Sequence, residues 1–168
     1  MKKRNLIISL ICIICAIFLM KDSYKHRKII SEWNKYELSE DWNKDAKEVM
    51  KVYINAMNAK DIDIMKECIF TCENYDHVYI GFSIPSKDIL NSIKYIEYID
   101  SEEATFRPVE GKLKNGKSIL FKEGKALDVT YDVKYRIENQ PEKSGINDFR
   151  YTLVKNKEGR YKIIEAGY

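Results

Sequence analysis

The chain has 168 residues, which is room for one domain of ordinary size, and a formal net charge of +3. Residues 1–28 hold 7 of the 29 Lys and Arg residues and 1 of the 26 Asp and Glu residues. The remainder therefore carries 22 basic and 25 acidic side chains, a net charge of −3. A mildly acidic domain without a basic face is a poor nucleic-acid binder, so we expect no nucleic-acid partner.

The first 28 residues have the layout of an export signal. A basic head, Met1–Arg4, precedes an unbroken apolar run at 6–20, which is shorter than the roughly 20 residues of a membrane-crossing helix. No small-residue cleavage site follows, so we expect an uncleaved signal-anchor, with a cleaved signal and lipidation as the alternatives. The domain would then lie outside the cytoplasm, at the cell membrane, or secreted if the signal is cleaved.

A long helix is predicted at the start of the domain at 41–168, which a stalk at 29–40 joins to the N-terminal segment. Ser39 is suited to the N-cap position. Apolar residues then recur at helical spacing from Trp42 to Met57, a stripe of about five turns.

A shorter helix is predicted next. Asn58–Lys60 interrupts the apolar stripe, and Asp61 can accept the first backbone hydrogen bonds of a new helix. Its buried face would include Ile62, Met65 and Ile69.

Beyond Phe70 the apolar period becomes two, which predicts strands. These are expected at 78–84, 92–100, 126–137, 147–155 and 160–166. The clearest is 126–137, where apolar residues from Leu127 to Ile137 alternate with polar ones, as in an antiparallel sheet with one solvated face. A hairpin turn is predicted at 156–159. Two helices before a strand-rich remainder indicate an α+β fold, with the helices packed on one face of a curved antiparallel sheet.

The segment Gly111–Ser118, GKLKNGKS, matches the phosphate-binding pattern G-x-x-x-x-G-K-[ST]. A working loop of this kind joins a buried strand to a helix, so that phosphates meet backbone N–H groups at the start of the helix. Pro108 and charged residues precede the match, and Gly124 follows too soon for such a helix. We therefore predict a hairpin that turns on Asn115–Gly116, and no nucleotide partner.

Cys68 and Cys72 are four residues apart in the part expected outside the cytoplasm, where disulfides persist. An intact helix holds cysteines at this spacing too far apart, so a disulfide requires the second helix to end near Phe70; two free thiols are the alternative. A metal site that added His77 would match no common zinc spacing and would lack a clear fourth ligand. We predict no metal and no cofactor.

No catalytic residue is predicted. The two histidines, His26 and His77, are isolated, and Ser83 lies outside the nucleophile-elbow pattern. The twelve tyrosines suit either sheet core or the lining of a pocket for a flat or apolar ligand. The residues predicted to line such a pocket are Tyr53, Met57, Tyr131, Tyr135, Phe149 and Tyr151.

Two stretches resemble nuclear transport factor 2-like domains. VMKVYINAMNAKDIDIMKECI (49–69) resembles the long and short helices that open that fold, and ALDVTYDVKYRI…YTLVKNKEGRYKIIEAGY (126–168) resembles its last three strands. The likeness is closest to membrane-anchored or lipidated domains exported by Gram-positive bacteria. It implies a cone, in which a bent antiparallel sheet wraps around the long helix and leaves a pocket at the open end.

This resemblance implies two kinds of function, because such domains include pocket enzymes and non-catalytic, membrane-tethered assembly subunits. We expect a membrane-anchored, extracytoplasmic binding or assembly module without catalysis, with protein partners in the cell envelope. The alternative is a small-ligand carrier or a pocket enzyme, of isomerase or dehydratase type, that uses the cone cavity. Some domains of this kind dimerise through the sheet, so the resemblance leaves a homodimer open.

Overall fold

The chain divides into two compact units, Met1–Tyr36 and Glu37–Tyr168. The computed structural model describes residues 13–14, 16–17, 20–21, 23–25, 27–29, 31, 38–70, 78–79, 82–113, 118–137 and 142–167. The described residues of the first unit are helical. Within these described ranges, no helix has both the length and the apolar character that crossing a membrane requires. Much of the predicted signal segment and stalk lies outside the described residues.

The long helix of the second unit, α1 (Ala46–Ala59), begins later than the sequence predicts. Asp45 is its N-cap, because the Asp45 carboxylate accepts hydrogen bonds from the backbone N–H groups of Lys47 (2.8 Å) and Glu48 (3.1 Å). The predicted cap at Ser39 is therefore wrong. Ser39 instead precedes a separate 3-10 turn, Trp42–Lys44.

The short helix, α2 (Ile62–Cys68), follows as predicted. The Asp61 carboxylate accepts a hydrogen bond from the backbone N–H of Ile64 at 3.1 Å, which confirms the predicted cap. Met65 and Ile69 are buried, but Ile62 is 38% exposed, so its predicted burial is wrong. Cys68, six residues after Ile62, lies on the buried face of α2.

The strands are β1 (Val78–Tyr79), β2 (Ile93–Ala104), β3 (Val109–Leu113), β4 (Ser118–Phe121), β5 (Lys125–Tyr135), β6 (Gly145–Lys155) and β7 (Tyr161–Gly167). They form two antiparallel sheets, a large sheet in the order β2-β5-β6-β7 and a small sheet in the order β1-β3-β4. A short helix that the sequence did not predict, α3 (Lys87–Ser92), leads into β2.

Two of the predicted strands end earlier than expected. The alternation in β5 is confirmed from Leu127 to Tyr135, but Ile137 lies beyond the strand and is 66% exposed. The strand predicted at 78–84 is wrong at residues 82–84, which belong to no strand, while residues 80–81 lie outside the described ranges. The hairpin at 156–159 is confirmed, since the side chain of Asn156 accepts hydrogen bonds from two backbone N–H groups of the turn.

Both faces of the large sheet carry buried residues. One face packs against α1 and buries alternate β5 side chains. On the opposite face, Val154 and Ile164 pack with Phe70 and Phe121, the last of which belongs to the small sheet. The domain is therefore α+β with helices packed on an antiparallel sheet, as predicted, and the small sheet covers part of the second face.

Candidate functional site

Aromatic rings fill the space between α1 and the large sheet. The ring of Tyr53, on α1, lies 6.4 Å from that of Tyr151, on β6, and 6.0 Å from that of Phe82. Tyr151 also contacts Phe82 (6.2 Å) and Phe149 (5.5 Å). These centroid distances are those of favourable edge-on and tilted ring pairs. Three residues predicted to line a pocket are therefore in one cluster, in contact with a fourth ring that the sequence did not single out.

Two further predicted residues, Tyr131 and Tyr135, share one carboxylate. They are four apart on β5, so strand geometry places both on the buried face. Their hydroxyl groups donate to the same Glu142 oxygen, at 2.9 Å from Tyr131 and 3.2 Å from Tyr135. Met57, the sixth predicted residue, is buried on α1.

Burial controls the charge state of these phenols. It raises the pKa of Tyr53 well above its usual value, with the neighbouring Tyr151 as the second cause. Burial also raises the pKa of Tyr131, where Tyr151 and the Glu142 carboxylate add to the effect. Both hydroxyl groups therefore stay protonated at neutral pH and act as hydrogen-bond donors rather than as bases or nucleophiles.

Two open grooves lie where the two sheets adjoin. Groove A has a volume of about 650 Å³ and groove B of about 510 Å³, both within the usual range for small-molecule sites. The residues around groove A are mostly polar: Thr105, Arg107, Glu110, Arg150, Thr152 and Glu165, with Pro108, Val109, Ala126 and Gly167. Groove B is lined by Leu120, Phe121, Lys122, Glu123, Gly124, Lys155 and Tyr161. Neither groove includes a residue predicted to line the pocket.

The structure describes only one of the two cysteines predicted to pair. Cys68 is fully buried, and this burial raises the pKa of its thiol, while Lys162 has an opposing but smaller influence. Cys72 and His77 lie outside the described residues, so the disulfide stays a prediction. Across the described part of the chain, no group of three or more His, Cys, Asp or Glu side chains could hold a metal ion.

The segment that matches the phosphate-binding pattern lies in the small sheet. Gly111 belongs to β3, and Ser118 begins β4 instead of a helix. The two strands pair antiparallel, with Lys112 opposite Ser118. Residues 114–117, which include the predicted turn, lie outside the described ranges.

Sequence reasoning missed a pair of cations at the start of β2. Lys60, which ends α1 with a left-handed backbone (φ 63°), donates from its ammonium group to the carbonyl of Ile93 at 3.2 Å. The Arg136 side chain donates from Nε to the carbonyl of Asn91 at 3.2 Å. We call this pair the Lys60–Arg136 corner. The sequence identified Lys60 only as part of the segment that interrupts the apolar stripe. No sequence pattern links it to Arg136, which lies 76 residues later in the chain.

Side chains of α1 also cover the outer edge of β2. Lys47 donates from its ammonium group to the carbonyl of Ser101 at 2.7 Å, and the Asn58 side-chain oxygen accepts from the N–H of Ile96 at 3.0 Å. With Lys60, which follows α1, on the carbonyl of Ile93, three side chains satisfy backbone groups along this edge. Covering an edge in this way prevents another strand from pairing with it.

A family described as "Domain of unknown function (DUF4829)" matches residues 47–167. The match begins in the first turn of α1 and ends at the last residue of β7, so it spans α1, α2, α3 and both sheets of the second unit. Comparison with curated proteins and with solved structures gave no match.

Proposed function

We propose that this chain, which belongs to the family described as Domain of unknown function (DUF4829), is a membrane-anchored, extracytoplasmic binding or assembly module without catalysis. The observation that carries the proposal is the aromatic cluster between α1 and the large sheet. The rings of Tyr53, Tyr151 and Phe82 lie within 6.4 Å of one another, so they pack against each other where a pocket was predicted. The Tyr53 hydroxyl, whose pKa is raised by burial, offers no base or nucleophile near neutral pH.

The proposed architecture is the nuclear transport factor 2-like cone, tethered by the apolar run at 6–20. The helix–helix–sheet order and the antiparallel pairing of β5, β6 and β7 support this proposal. Binding would then use the outside of the domain, where grooves A and B provide concave surface. The partners we propose are other proteins of the cell envelope, since groove B combines an exposed apolar side chain, Leu120, with polar neighbours.

Site-specific photocrosslinking in cells that produce the full chain tests this proposal. A photoreactive amino acid in place of Leu120, which is 51% exposed in groove B, should yield an adduct of one discrete mass. The matched control is Asp63 on α2, whose side chain is 94% exposed and lies outside both grooves. Equal adducts from both positions, or none from Leu120, would count against a partner at groove B.

The second candidate function is a small-ligand carrier or a pocket enzyme of isomerase or dehydratase type. One observation favours it: Glu142 places a carboxylate among buried tyrosines and accepts hydrogen bonds from two of them. A ligand hydroxyl could replace either phenol as donor. A carrier that had evolved for this purpose would retain its ligand through purification.

Native mass spectrometry of the full chain distinguishes the two functions. The binding-module proposal expects the mass of the chain alone, or twice that mass for the homodimer that we also propose. The carrier proposal expects an additional small mass that disappears in the variant Glu142→Gln. A retained ligand of fixed mass would reverse our preference.

A further inference from the structure

The Lys60–Arg136 corner brings two cations to neighbouring backbone carbonyls. Lys60 contacts the carbonyl of Ile93, and Arg136 contacts that of Asn91, two residues earlier. The backbone N–H of Arg136 also donates to the carbonyl of Ser92 at 2.7 Å, which fixes β5 against the end of α3. The corner is therefore held by backbone contacts on both sides.

Among the described residues, no carboxylate balances the charges in this corner. In the described part of the chain, neither Lys60 nor Arg136 forms an ion pair. Burial lowers the pKa of Lys60 to about 8, and repulsion from Arg136 is the second cause. Two basic side chains of the large sheet are paired by contrast: Lys125 with Glu103 at 2.8 Å and Arg150 with Asp128 at 2.7 Å.

Contacts to carbonyls alone do not account for two full charges at one place. Each carbonyl at the end of α3 carries only a partial negative charge, which does not neutralise a full cation. Two adjacent cations repel, and the Lys60 ammonium group is half-buried, so its charge is also poorly solvated. A bound anion would offset both costs.

We infer that the Lys60–Arg136 corner is a binding site for an oxyanion of the phosphate class, either a free phosphate group or the phosphate of a lipid headgroup. Arg136 is exposed and uses Nε for Asn91, which leaves its two Nη groups available for a bidentate contact to phosphate oxygens. The Lys60 ammonium group has three N–H donors and uses one for Ile93. This inference is independent of the function proposed above.

Competitive labelling of lysines with acetic anhydride tests the site. The full chain is labelled, and the extent of labelling at each lysine is then measured on its peptides by mass spectrometry. Only the neutral amine reacts, so the pH dependence of labelling reports the Lys60 pKa. Inorganic phosphate should raise that pKa, and a rise of one unit lowers the labelling rate at pH 8 about fivefold. Chloride at the same ionic strength is the reference, because it reproduces the screening without the bidentate contact.

Lys125 is the internal control, because its ammonium group is already paired with Glu103 and its pKa is raised by that hydrogen bond. Its labelling should not respond to phosphate. In the variant Arg136→Gln the phosphate effect on Lys60 should disappear, while Lys125→Met should leave it unchanged. The central measurement is made on the unaltered chain, so it does not depend on the folding of a variant.

Vesicles distinguish the two sources of phosphate. Protection of Lys60 by phosphatidylglycerol vesicles, but not by phosphatidylcholine vesicles or inorganic phosphate, identifies an anionic lipid headgroup. Protection by inorganic phosphate alone identifies a free oxyanion. If neither phosphate nor anionic vesicles slow the labelling of Lys60 relative to chloride, the inference is overturned.

Discussion

At the residue scale, Gly124 shows how closely the turn into β5 approaches its neighbours. A Cβ atom at this position would lie 2.4 Å from the backbone oxygen of Leu153 and 2.5 Å from the Phe106 ring. Both distances are well inside van der Waals contact, and a backbone oxygen of a paired strand cannot move far. The residue is thus required by space, not by backbone conformation.

Gly124→Ala should destabilise the domain by about 2 kcal/mol, because the added methyl group overpacks the contact with β6. Urea unfolding followed by circular dichroism gives the free energy of unfolding. Gly167→Ala is the matched control, since a Cβ there meets nothing within 4 Å. Equal stabilities of the two variants would contradict the packing described for Gly124.

Lys60 makes the stability of the fold depend on pH. Its folded pKa is about 8, below its ordinary value of 10.5, so the unfolded chain binds more protons between these values. The free energy of unfolding should therefore rise as pH increases above about 8, and this contribution is absent at lower pH, where both states are protonated.

The difference between the unaltered chain and Lys60→Met isolates this effect from other titrating groups. Between pH 8 and pH 9 the unaltered chain should gain stability relative to the variant, measured by urea unfolding at each pH. A constant difference across this range would show that Lys60 has an ordinary pKa in the folded state.

At the element scale, caps decide where the helices begin. Ser39 and Asp45 are both acceptable N-cap residues, and the apolar stripe extends over both. The choice of Asp45 follows from the tertiary structure, in which Trp42 and Asn43 are buried in a separate 3-10 turn before α1.

Asp45→Ala should cost about 1 kcal/mol of stability, because two backbone N–H groups of α1 lose their acceptor. Asp41→Ala is the control: Asp41 pairs with Lys44 at 2.8 Å, but both side chains are more than half exposed, so the loss should be within about 0.5 kcal/mol. Thermal unfolding of both variants provides the comparison. A larger loss for Asp41 would place the functional cap earlier in the chain.

Strand edges are the second feature that belongs to this scale. The side chains of Lys47, Asn58 and Lys60 form hydrogen bonds to the backbone along the outer edge of β2. At the edge of β7, the N–H of Phe70 donates a hydrogen bond to the Ile163 carbonyl at 2.8 Å. The large sheet is therefore protected at both ends of its strand order. A homodimer in which strands of two copies pair edge to edge is therefore disfavoured. A homodimer that packs the faces of two sheets together does not use these edges, so their protection does not oppose it.

At the scale of the whole molecule, Cys68 reports global unfolding. Its side chain is fully buried and its thiol pKa is raised by that burial, so both access and thiolate formation are suppressed in the folded state. Alkylation of Cys68, followed at peptide level by mass spectrometry, should accelerate in parallel with urea unfolding. A labelling rate that does not depend on urea would indicate local opening of α2 instead.

The sequence alone determined the fold class, the two helices, the positions of β2, β5, β6 and β7, and the β6–β7 hairpin. These elements have strong local signals: helical or alternating apolar periods, the Asp61 cap and the Asn156 turn. The weak predictions were at 78–84 and at Ile137, where the alternation continues past the last residue that finds a partner strand.

Only the tertiary structure decided how the tyrosines are used and where unpaired charge remains. The sequence predicted that Tyr53 and Tyr151 lie on buried faces, but it did not show whether their rings touch or enclose a space. Their ring centroids lie 6.4 Å apart, a distance that the spacing between α1 and β6 sets. Likewise, Lys60 and Arg136 lie near each other because α1 and β5 both end beside the junction of α3 and β2. Such meetings depend on the packing of elements distant in the chain, which local periodicity does not encode.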